Sequence, residues 1–312
     1  MSPPRPPLRR ALADYLTLRR ALGFKLDNAG RLLGQFVGYL EQHDLDTITV
    51  EHALAWATLP AEASPHWWAI RISVVRGFAA WLHALDASVE VPPPGLIRSG
   101  PCRATPYLYS QAEIDALMQA AARLRPQLRA ATYQTLLGLL AVSGIRIGEA
   151  IALDVADLDV EHELLVVRHS KFDRTRLVPL HPSTMRALAR YSDVRDRLQP
   201  RPASPALFIS SAGTRLHHSN INLTFARLVG QAGLTRRSAS CRPRIHDFRH
   251  GFAVTSLLDA YRSGADVAAL LPRLSTYVGH TDPKHTFWYL SAAPELMALA
   301  GQRLDAHLGG AA

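Results

Sequence analysis

The chain has 312 residues and a formal net charge of +9, which allows two domains and favours a polyanionic partner, either nucleic acid or a membrane surface. No apolar run approaches the roughly 18 residues of a membrane span, and the proline-rich start at 1–7 lacks the apolar core of a secretory signal. We therefore expect a soluble, cytoplasmic protein. Cys102 and Cys241 form no CxxC pattern, so neither a disulfide framework nor a thiolate zinc site is indicated.

Four helices are predicted to follow a flexible basic arm at 1–10. Apolar residues recur at helical spacing in four segments, at 8–22, 31–42, 50–59 and 65–85. Asn28 is expected to cap the second of them. Four helices in so short a stretch predict a small helical domain at 11–95.

The fourth predicted helix carries both tryptophans and arginines. Aromatic residues at helical spacing usually pack into a core, and we expect Trp67 and Trp81 to do so. Arg71 and Arg76 lie on the same helix and allow two interpretations, a structural role or contact with DNA phosphates. We predict that they are DNA contacts.

A linker is predicted at 96–106, directly after the segment VPPPG at 91–95. Proline disfavours helix and holds the chain extended. The linker separates the N-terminal helical domain from a second domain at 107–312.

The second domain is predicted to be mainly α-helical with one small β-sheet, an α+β fold. Ser110 and Glu113 have the spacing of a capping box that opens a helix. A β-hairpin is predicted at 157–180, with Lys171 in its turn. The other predicted helices lie at 127–142, 182–198, 220–230, 248–262 and 294–307, the first of them ended by a glycine, Gly144.

Basic residues recur near predicted helix starts. Arg146 and Glu149 are three apart and can share a helix face, as an ordinary surface ion pair would. His246 and Arg249 have the same spacing. His246 and His250 are four apart, which suits zinc, but no third ligand accompanies them, so no metal site is predicted.

Lys171 stands out because the chain has only three lysines, and the other 32 basic residues are arginines. An ammonium can be tuned to release a proton near neutral pH, whereas a guanidinium cannot. A surface lysine without function fits the composition equally well.

Tyr289 follows His280 by nine positions, with a turn predicted between them because Asp282 precedes a proline. A tyrosine that attacks a phosphodiester needs cations on the phosphate, a base near the phenol and an acid near the leaving oxygen. Tyr261 and Tyr277 are rival nucleophiles, but no histidine stands nine residues before either of them.

Four sequence boxes carry a resemblance to a known family. SGIRIGE at 143–149, HDFRH at 246–250, GH at 279–280 and FWYL at 287–290 look like the signature of the tyrosine recombinases, of the phage integrase and Xer type. Each box alone is a weak signal, but their order and spacing together are specific. The resemblance implies that 11–95 is a core-binding domain and that both domains close around DNA as a clamp.

The resemblance also implies a mechanism, in which Tyr289 forms a 3′-phosphotyrosyl bond with DNA. Arg146 and Arg249 would neutralise the phosphorane, and Lys171 would protonate the departing 5′-oxygen. His246 and His280 would hydrogen-bond the phosphate or accept the phenolic proton. Supporting roles fall to Glu149 and His250, and Lys284 is predicted as a DNA contact. Neither ATP, a metal nor another cofactor is implied.

The partners implied are double-stranded DNA and further copies of the chain. The family assembles homo-tetramers in a synaptic complex, in some cases with partner recombinases, and a nucleoid location follows. The segment between Arg249 and His280 is longer than in compact members, and in this it resembles recombinases of transposons and multi-integrase modules. DNA integration, recombination and transposition are the implied processes.

Two other functions remain open from the sequence. A type IB topoisomerase shares the tyrosine chemistry but relaxes DNA as a monomer. A catalytically idle DNA-binding accessory protein would need no Tyr289. The tail at 294–307 has Leu296, Leu299 and Leu304 on one face, which either packs on its own domain or docks on a neighbouring protomer.

Overall fold

The structure is a computed structural model that describes residues 7–98, 104–168 and 175–279, together with Thr286, 295–299, 301 and 302. The chain divides into two compact units, Met1–Arg103 and Ala104–Ala312. The division falls inside the segment predicted as a linker. Each unit has its own core.

The described part of the N-terminal unit, residues 7–98, contains the four predicted helices. They are α1 (Leu8–Ala21), α2 (Asp27–Gln42), α3 (Val50–Thr58) and α4 (Pro65–His83). Leu32, Phe36 and Phe78 are fully buried between them, as the apolar spacing predicts. Trp67 and Trp81 pack against this core at its edge.

Helix caps explain where α3 and α4 begin. The side chains of Thr49 and Ser64 accept the backbone N–H groups of residues three positions on, His52 and Trp67. The predicted cap at Asn28 is wrong, because α2 begins at Asp27, after Leu26 in the left-handed region (φ 52°). Asn28 instead accepts a hydrogen bond from Arg31 on the helix surface.

The C-terminal unit is mainly helical, as predicted. Its helices are α5 (Gln111–Ala122), α6 (Gln127–Ser143), α7 (Ile147–Ala152), α8 (Pro182–Leu198), α9 (His218–Gln231), α10 (Asp247–Arg262) and α11 (Val267–Val278). The capping box of Ser110 and Glu113 is present at the start of α5. Helix α6 packs against α5, α8 and α10, and it therefore runs through the centre of the unit.

A three-stranded antiparallel sheet lies between α7 and α8 in the chain. Its strands are β1 (Leu158–Asp159), β2 (Leu164–Val167) and β3 (Arg176–Pro179), in the order β1-β2-β3. The predicted hairpin is β2 and β3, and β1 was not anticipated. Val167 pairs with Arg176, so these two residues bracket the connection that contains Lys171.

Helix α11 was not predicted. The sequence indicates only that the segment between Arg249 and His280 is longer than in compact members of the family that the chain resembles. The structure places Pro272 inside the helix and Gly264 before it, in a left-handed turn (φ 73°). Asp266 caps α11 by accepting the N–H of Ala269.

Part of the predicted tail helix is described. Residues 295–299, 301 and 302 are helical, and Leu296 is buried in a cluster with α10 and α11 of the same chain. Arg262 on α10 bonds Glu295 at 2.5 Å. In the described parts of the chain, no helix has the length and apolar character to cross a membrane.

Candidate active site

The turn that follows α6 sets up the first arginine of the site. Gly144 ends α6 in the left-handed region (φ 58°), and a Cβ added there would lie 2.4 Å from Cδ1 of Phe252. Only glycine fits both the backbone angle and the space. Arg146 follows two residues later and directly precedes the first residue of α7.

Two partners hold the guanidinium of Arg146. Its Nη1 donates to Oε1 of Glu149 at 2.8 Å, and its Nη2 donates to the carbonyl oxygen of Gly279 at 2.8 Å. The second contact joins residues 133 positions apart. About 30% of the side chain stays exposed, so Arg146 is fixed in place yet open to an incoming anion.

Glu149 is the centre of a buried charge cluster with Arg176. Arg176, the first residue of β3, donates to both carboxylate oxygens of Glu149, at 3.0 and 2.8 Å. Burial opposes the charge of Glu149, but hydrogen bonds from Arg176 and Arg146 outweigh it and lower the pKa of Glu149 to about 2. The carboxylate is therefore ionised at any physiological pH.

Arg176 also fixes the end of α11. Its Nε donates to the carbonyl of Tyr277 at 3.1 Å. Sequence spacing does not reveal the role of Arg176, because its partners lie 27 and 101 positions away. Its place as the first residue of a strand directly after the predicted turn was the one available signal.

Arg249, the second predicted arginine, is 2% exposed on the first turn of α10. Its Nη1 donates to the carbonyl of Gly144 at 2.9 Å. The bend between α6 and α7 therefore anchors Arg249 and positions Arg146, two residues further on.

His246 stands at the start of α10, beside these arginines. Desolvation by the surrounding protein and the charges of Arg249, Arg146 and Arg244 lower the pKa of His246 to about 4, although the residue as a whole is exposed. The imidazole is neutral at pH 7. The ring of His250 lies perpendicular to that of His246, with centroids 4.9 Å apart.

An ion pair between Arg244 and the buried Asp247 stabilises the start of α10. Asp247 is fully buried and accepts from Nε and Nη2 of Arg244, at 3.0 and 2.7 Å. The hydroxyl of Tyr109 donates to the carbonyl of Arg244, and its ring stacks on Phe248. These contacts hold His246 and Arg249 in a fixed orientation.

The structure therefore brings together five predicted site residues, in two groups linked through the carbonyl of Gly144, which accepts from Arg249 two residues before Arg146: Arg146, Glu149, His246, Arg249 and His250. Lys171, His280, Lys284 and Tyr289 lie outside the described residues, and their roles stay predictions. Two described residues that lie near them in the sequence contact the cluster. Gly279, directly before His280, accepts from Arg146, and Arg176, five positions after Lys171, bonds Glu149.

Tyr277, a rival nucleophile, is held in a different role. Its ring stacks on Phe252 and its hydroxyl donates to the carbonyl of Pro179 at 3.4 Å. Burial raises the pKa of Tyr277 to about 12, against the opposing charge of Arg176. A phenol so hard to ionise is a poor nucleophile.

Arg71 and Arg76 are engaged inside the N-terminal unit. The guanidinium of Arg71 lies 3.7 Å above the ring of Trp56 and donates to its carbonyl at 2.6 Å. Arg76 donates to the carbonyls of Pro92 and Pro93, at 2.7 and 2.9 Å. These contacts favour the structural interpretation, and phosphate contact by either arginine stays a prediction.

Within the parts of the chain that the structure describes, no group of three histidine, cysteine, aspartate or glutamate residues is arranged to hold a metal ion.

The mainly helical fold with one small sheet and a family match over most of the C-terminal unit identify a DNA breaking and rejoining enzyme. The model of the phage integrase family matches residues 108–295, and the chain belongs to this family, the tyrosine recombinases.

Two named relatives span nearly the whole chain, and a third spans 70% of it. The chain is 44% identical to "Putative integrase/recombinase y4rB" of Sinorhizobium fredii over 303 residues, 95% of this chain and 96% of the relative. It is 37% identical to "Putative integrase/recombinase y4rE" of the same organism over 302 residues, 96% of each. A tyrosine recombinase XerC of Roseiflexus is 28% identical over 227 residues, which cover 70% of this chain and 66% of the relative.

Solved structures share the fold at lower identity. The Tn1549 transposon integrase in complex with transposon right end DNA has a TM-score of 0.64 at 16% identity and covers 96% of this chain and all of that one. The XerA recombinase has a TM-score of 0.51 at 23% identity, covering 95% and 97%. Both likenesses include the N-terminal helices as well as the larger unit.

Proposed function

We propose that this protein is a site-specific DNA recombinase that cleaves and rejoins DNA through a 3′-phosphotyrosyl bond to Tyr289. The observation that carries the proposal is the fixed cluster of Arg146, Arg249 and His246. Carbonyl groups of Gly144 and Gly279 anchor its two arginines, which come from separate helix starts. Family membership supports the same conclusion.

The two arginines suit the charge that develops on phosphate during transesterification. Each guanidinium is held by protein acceptors before any substrate arrives, so little reorganisation is needed in the transition state. Arg249 is buried, where its charge is weakly screened, and Arg146 remains partly exposed. They would neutralise the non-bridging oxygens of the phosphorane.

Neutral His246 can hydrogen-bond the phosphate or accept the phenolic proton. Its low pKa in the unbound protein comes in part from nearby arginines. A bound phosphate offsets these charges, so the pKa of His246 rises when DNA binds. His280 would share this task.

The chemical step balances without an energy source. The phenolic oxygen of Tyr289 forms a bond to phosphorus while the bond from phosphorus to the 5′-oxygen breaks. A histidine accepts the phenolic proton, and Lys171 gives a proton to the 5′-oxygen. Attack by a new 5′-hydroxyl reverses each step, so neither ATP nor a metal is required.

Double-stranded DNA is the proposed substrate. Structural neighbours include XerH bound to difH substrate and a lambda integrase dimer bound to a core site. The net charge of +9 favours such a polyanion. We further propose a homo-tetramer in a synaptic complex, with or without partner recombinases, and a role in moving a mobile element.

A cellular assay tests this proposal against its alternatives. A plasmid would carry the gene with its own flanking DNA, and new junctions would be amplified and sequenced. The proposal predicts defined junctions with wild type and none with Tyr289→Phe. Relaxation of supercoiled plasmid without junctions would indicate a topoisomerase, and the absence of both activities would indicate an idle binding protein.

A further inference from the structure

We propose that Arg176 is a positioning residue that orients Arg146 through Glu149 and at the same time fixes the chain that precedes His280. The inference rests on the proposed function. Arg176 joins three parts of the site that the sequence separates: the hairpin containing Lys171, the start of α7 and the end of α11.

The first observation behind this proposal is the set of hydrogen bonds that Glu149 accepts. Each carboxylate oxygen accepts two hydrogen bonds. Oε1 accepts from Nη1 of Arg146 at 2.8 Å and Nη1 of Arg176 at 3.0 Å. Oε2 accepts from the backbone N–H of Arg146 at 2.9 Å and Nη2 of Arg176 at 2.8 Å. All four acceptor positions are filled, so the carboxylate has one orientation.

The second observation is the net charge of Arg146, Glu149 and Arg176 taken together. If Glu149 paired with Arg146 alone, the pair would be neutral and would stabilise the charge that develops on the phosphorane only weakly. Arg176 shares the same carboxylate, so the three groups together keep one positive charge. Arg176 is only 13% exposed, whereas Arg146 is 30% exposed, so that charge is presented to solvent through Arg146.

The third observation is the close packing of Arg176 against Gly279. A Cβ at residue 279 would lie 2.8 Å from Nη1 and 3.0 Å from Cζ of Arg176. The carbonyl of the same glycine accepts from Arg146. Gly279 thus lies against both arginines, directly before His280 in the sequence.

The test uses full-length variants and a nicked duplex built from the junction sequence that wild type forms in cells. Single-turnover cleavage is measured on the phosphate duplex and on one with a methylphosphonate at the scissile position. The methyl group removes the non-bridging charge that Arg146 would neutralise. Arg176→Met should slow cleavage of the phosphate duplex at least about 30-fold, slow the methylphosphonate duplex much less, and leave DNA binding within about threefold.

Arg195→Met is the matched control. Arg195 is 4% exposed and bonds the carbonyl of Ala206 and the carboxylate of Asp196, in the same unit. Its loss should affect both duplexes equally. Arg176→Lys keeps the charge without the fork and should recover part of the rate.

A glycine pair supplies a second comparison if Arg176→Met folds poorly. Gly279 and Gly264 both adopt the left-handed region, with φ of 70° and 73°. A Cβ at Gly264 meets nothing within 4 Å, so Gly264→Ala carries the backbone cost alone. Gly279→Ala should lose cleavage of the phosphate duplex selectively, and Gly264→Ala should not.

Equal slowing of both duplexes by Arg176→Met, a loss matched by Arg195→Met, or cleavage at the wild-type rate would each overturn the positioning role. Failure of wild type to cleave the nicked duplex would instead contradict the proposed function.

Discussion

Arg146 and Gly279 lie 133 positions apart, yet Nη2 of the arginine donates to the carbonyl of the glycine at 2.8 Å. The bond ties the start of α7 to the residue that directly precedes His280. It links a predicted phosphate-binding arginine to the part of the chain that leads to Tyr289. The same guanidinium bonds Glu149, so Arg146 is held from two sides.

Replacing Arg146 should separate binding from catalysis. Arg146→Ala leaves Glu149 paired with Arg176, so the fold should persist. We expect cleavage of a nicked duplex to fall at least about 100-fold, because the lost charge acts mainly in the transition state. DNA affinity, measured by fluorescence anisotropy, should change less than about threefold. The control is Arg215→Ala, which removes an arginine bonded to Asp154 outside the site. A comparable loss of affinity and cleavage in Arg146→Ala would refute this assignment.

Lys171→Ala should be rescued by sulfur chemistry. A 5′-phosphorothiolate leaves without protonation, so its cleavage needs no general acid. We expect the variant to cleave the ordinary duplex at least about 100-fold more slowly than wild type does. On the phosphorothiolate duplex, the variant and wild type should cleave at similar rates. Arg146→Ala should stay slow on both. If sulfur gives no rescue, another residue is the acid.

Glu149 should stabilise the fold in a pH-dependent way. Its pKa is lowered to about 2 in the folded protein, so its contribution is complete above the ordinary carboxyl pKa and is lost as the pH falls towards 2. Glu149→Gln should cost roughly 3 kcal/mol at pH 7, because it leaves Arg176 buried without an anionic partner. Between pH 7 and pH 4 this cost should shrink by about 1 kcal/mol.

Urea unfolding of wild type and variant at the two pH values measures the effect. Glu161→Gln, at an exposed carboxylate, should show no such difference. A cost for Glu149→Gln that does not depend on pH would contradict the ion-pair account.

DNA binding should be coupled to protonation of His246. Its pKa is about 4 in the unbound protein, and a bound phosphate raises it. Binding near pH 5.5 should therefore take up protons, and affinity should rise as the pH falls through that range. Calorimetry in two buffers of different ionisation enthalpy counts the protons. His246→Gln should take up fewer, while His217→Gln, at an exposed histidine, should match wild type. Equal proton uptake by His246→Gln and wild type would exclude this coupling.

Local patterns predicted most of the helices, because apolar spacing and capping residues act over a few positions. The pair of Arg146 and Glu149 could be anticipated for the same reason. Helix α11 could not be predicted in this way, because Pro272 disfavours helix locally. The burial of Leu274 and Val278 outweighs that local preference.

The contacts that organise the site could not be predicted from spacing. Arg176 meets Glu149 and Tyr277 only after the hairpin, α7 and α11 have packed together. The resemblance supplied the identities of Lys171, His280 and Tyr289, and these three remain to be tested by experiment.

The most direct test of the central claim is to map the covalent bond to DNA. Wild type would be incubated with the nicked duplex, digested, and analysed by mass spectrometry for a peptide carrying a nucleotide. We predict a 3′-phosphate ester on Tyr289, absent from Tyr289→Phe and retained in Tyr277→Phe and Tyr261→Phe. An adduct on any other residue, or covalent trapping that survives Tyr289→Phe, would contradict the account.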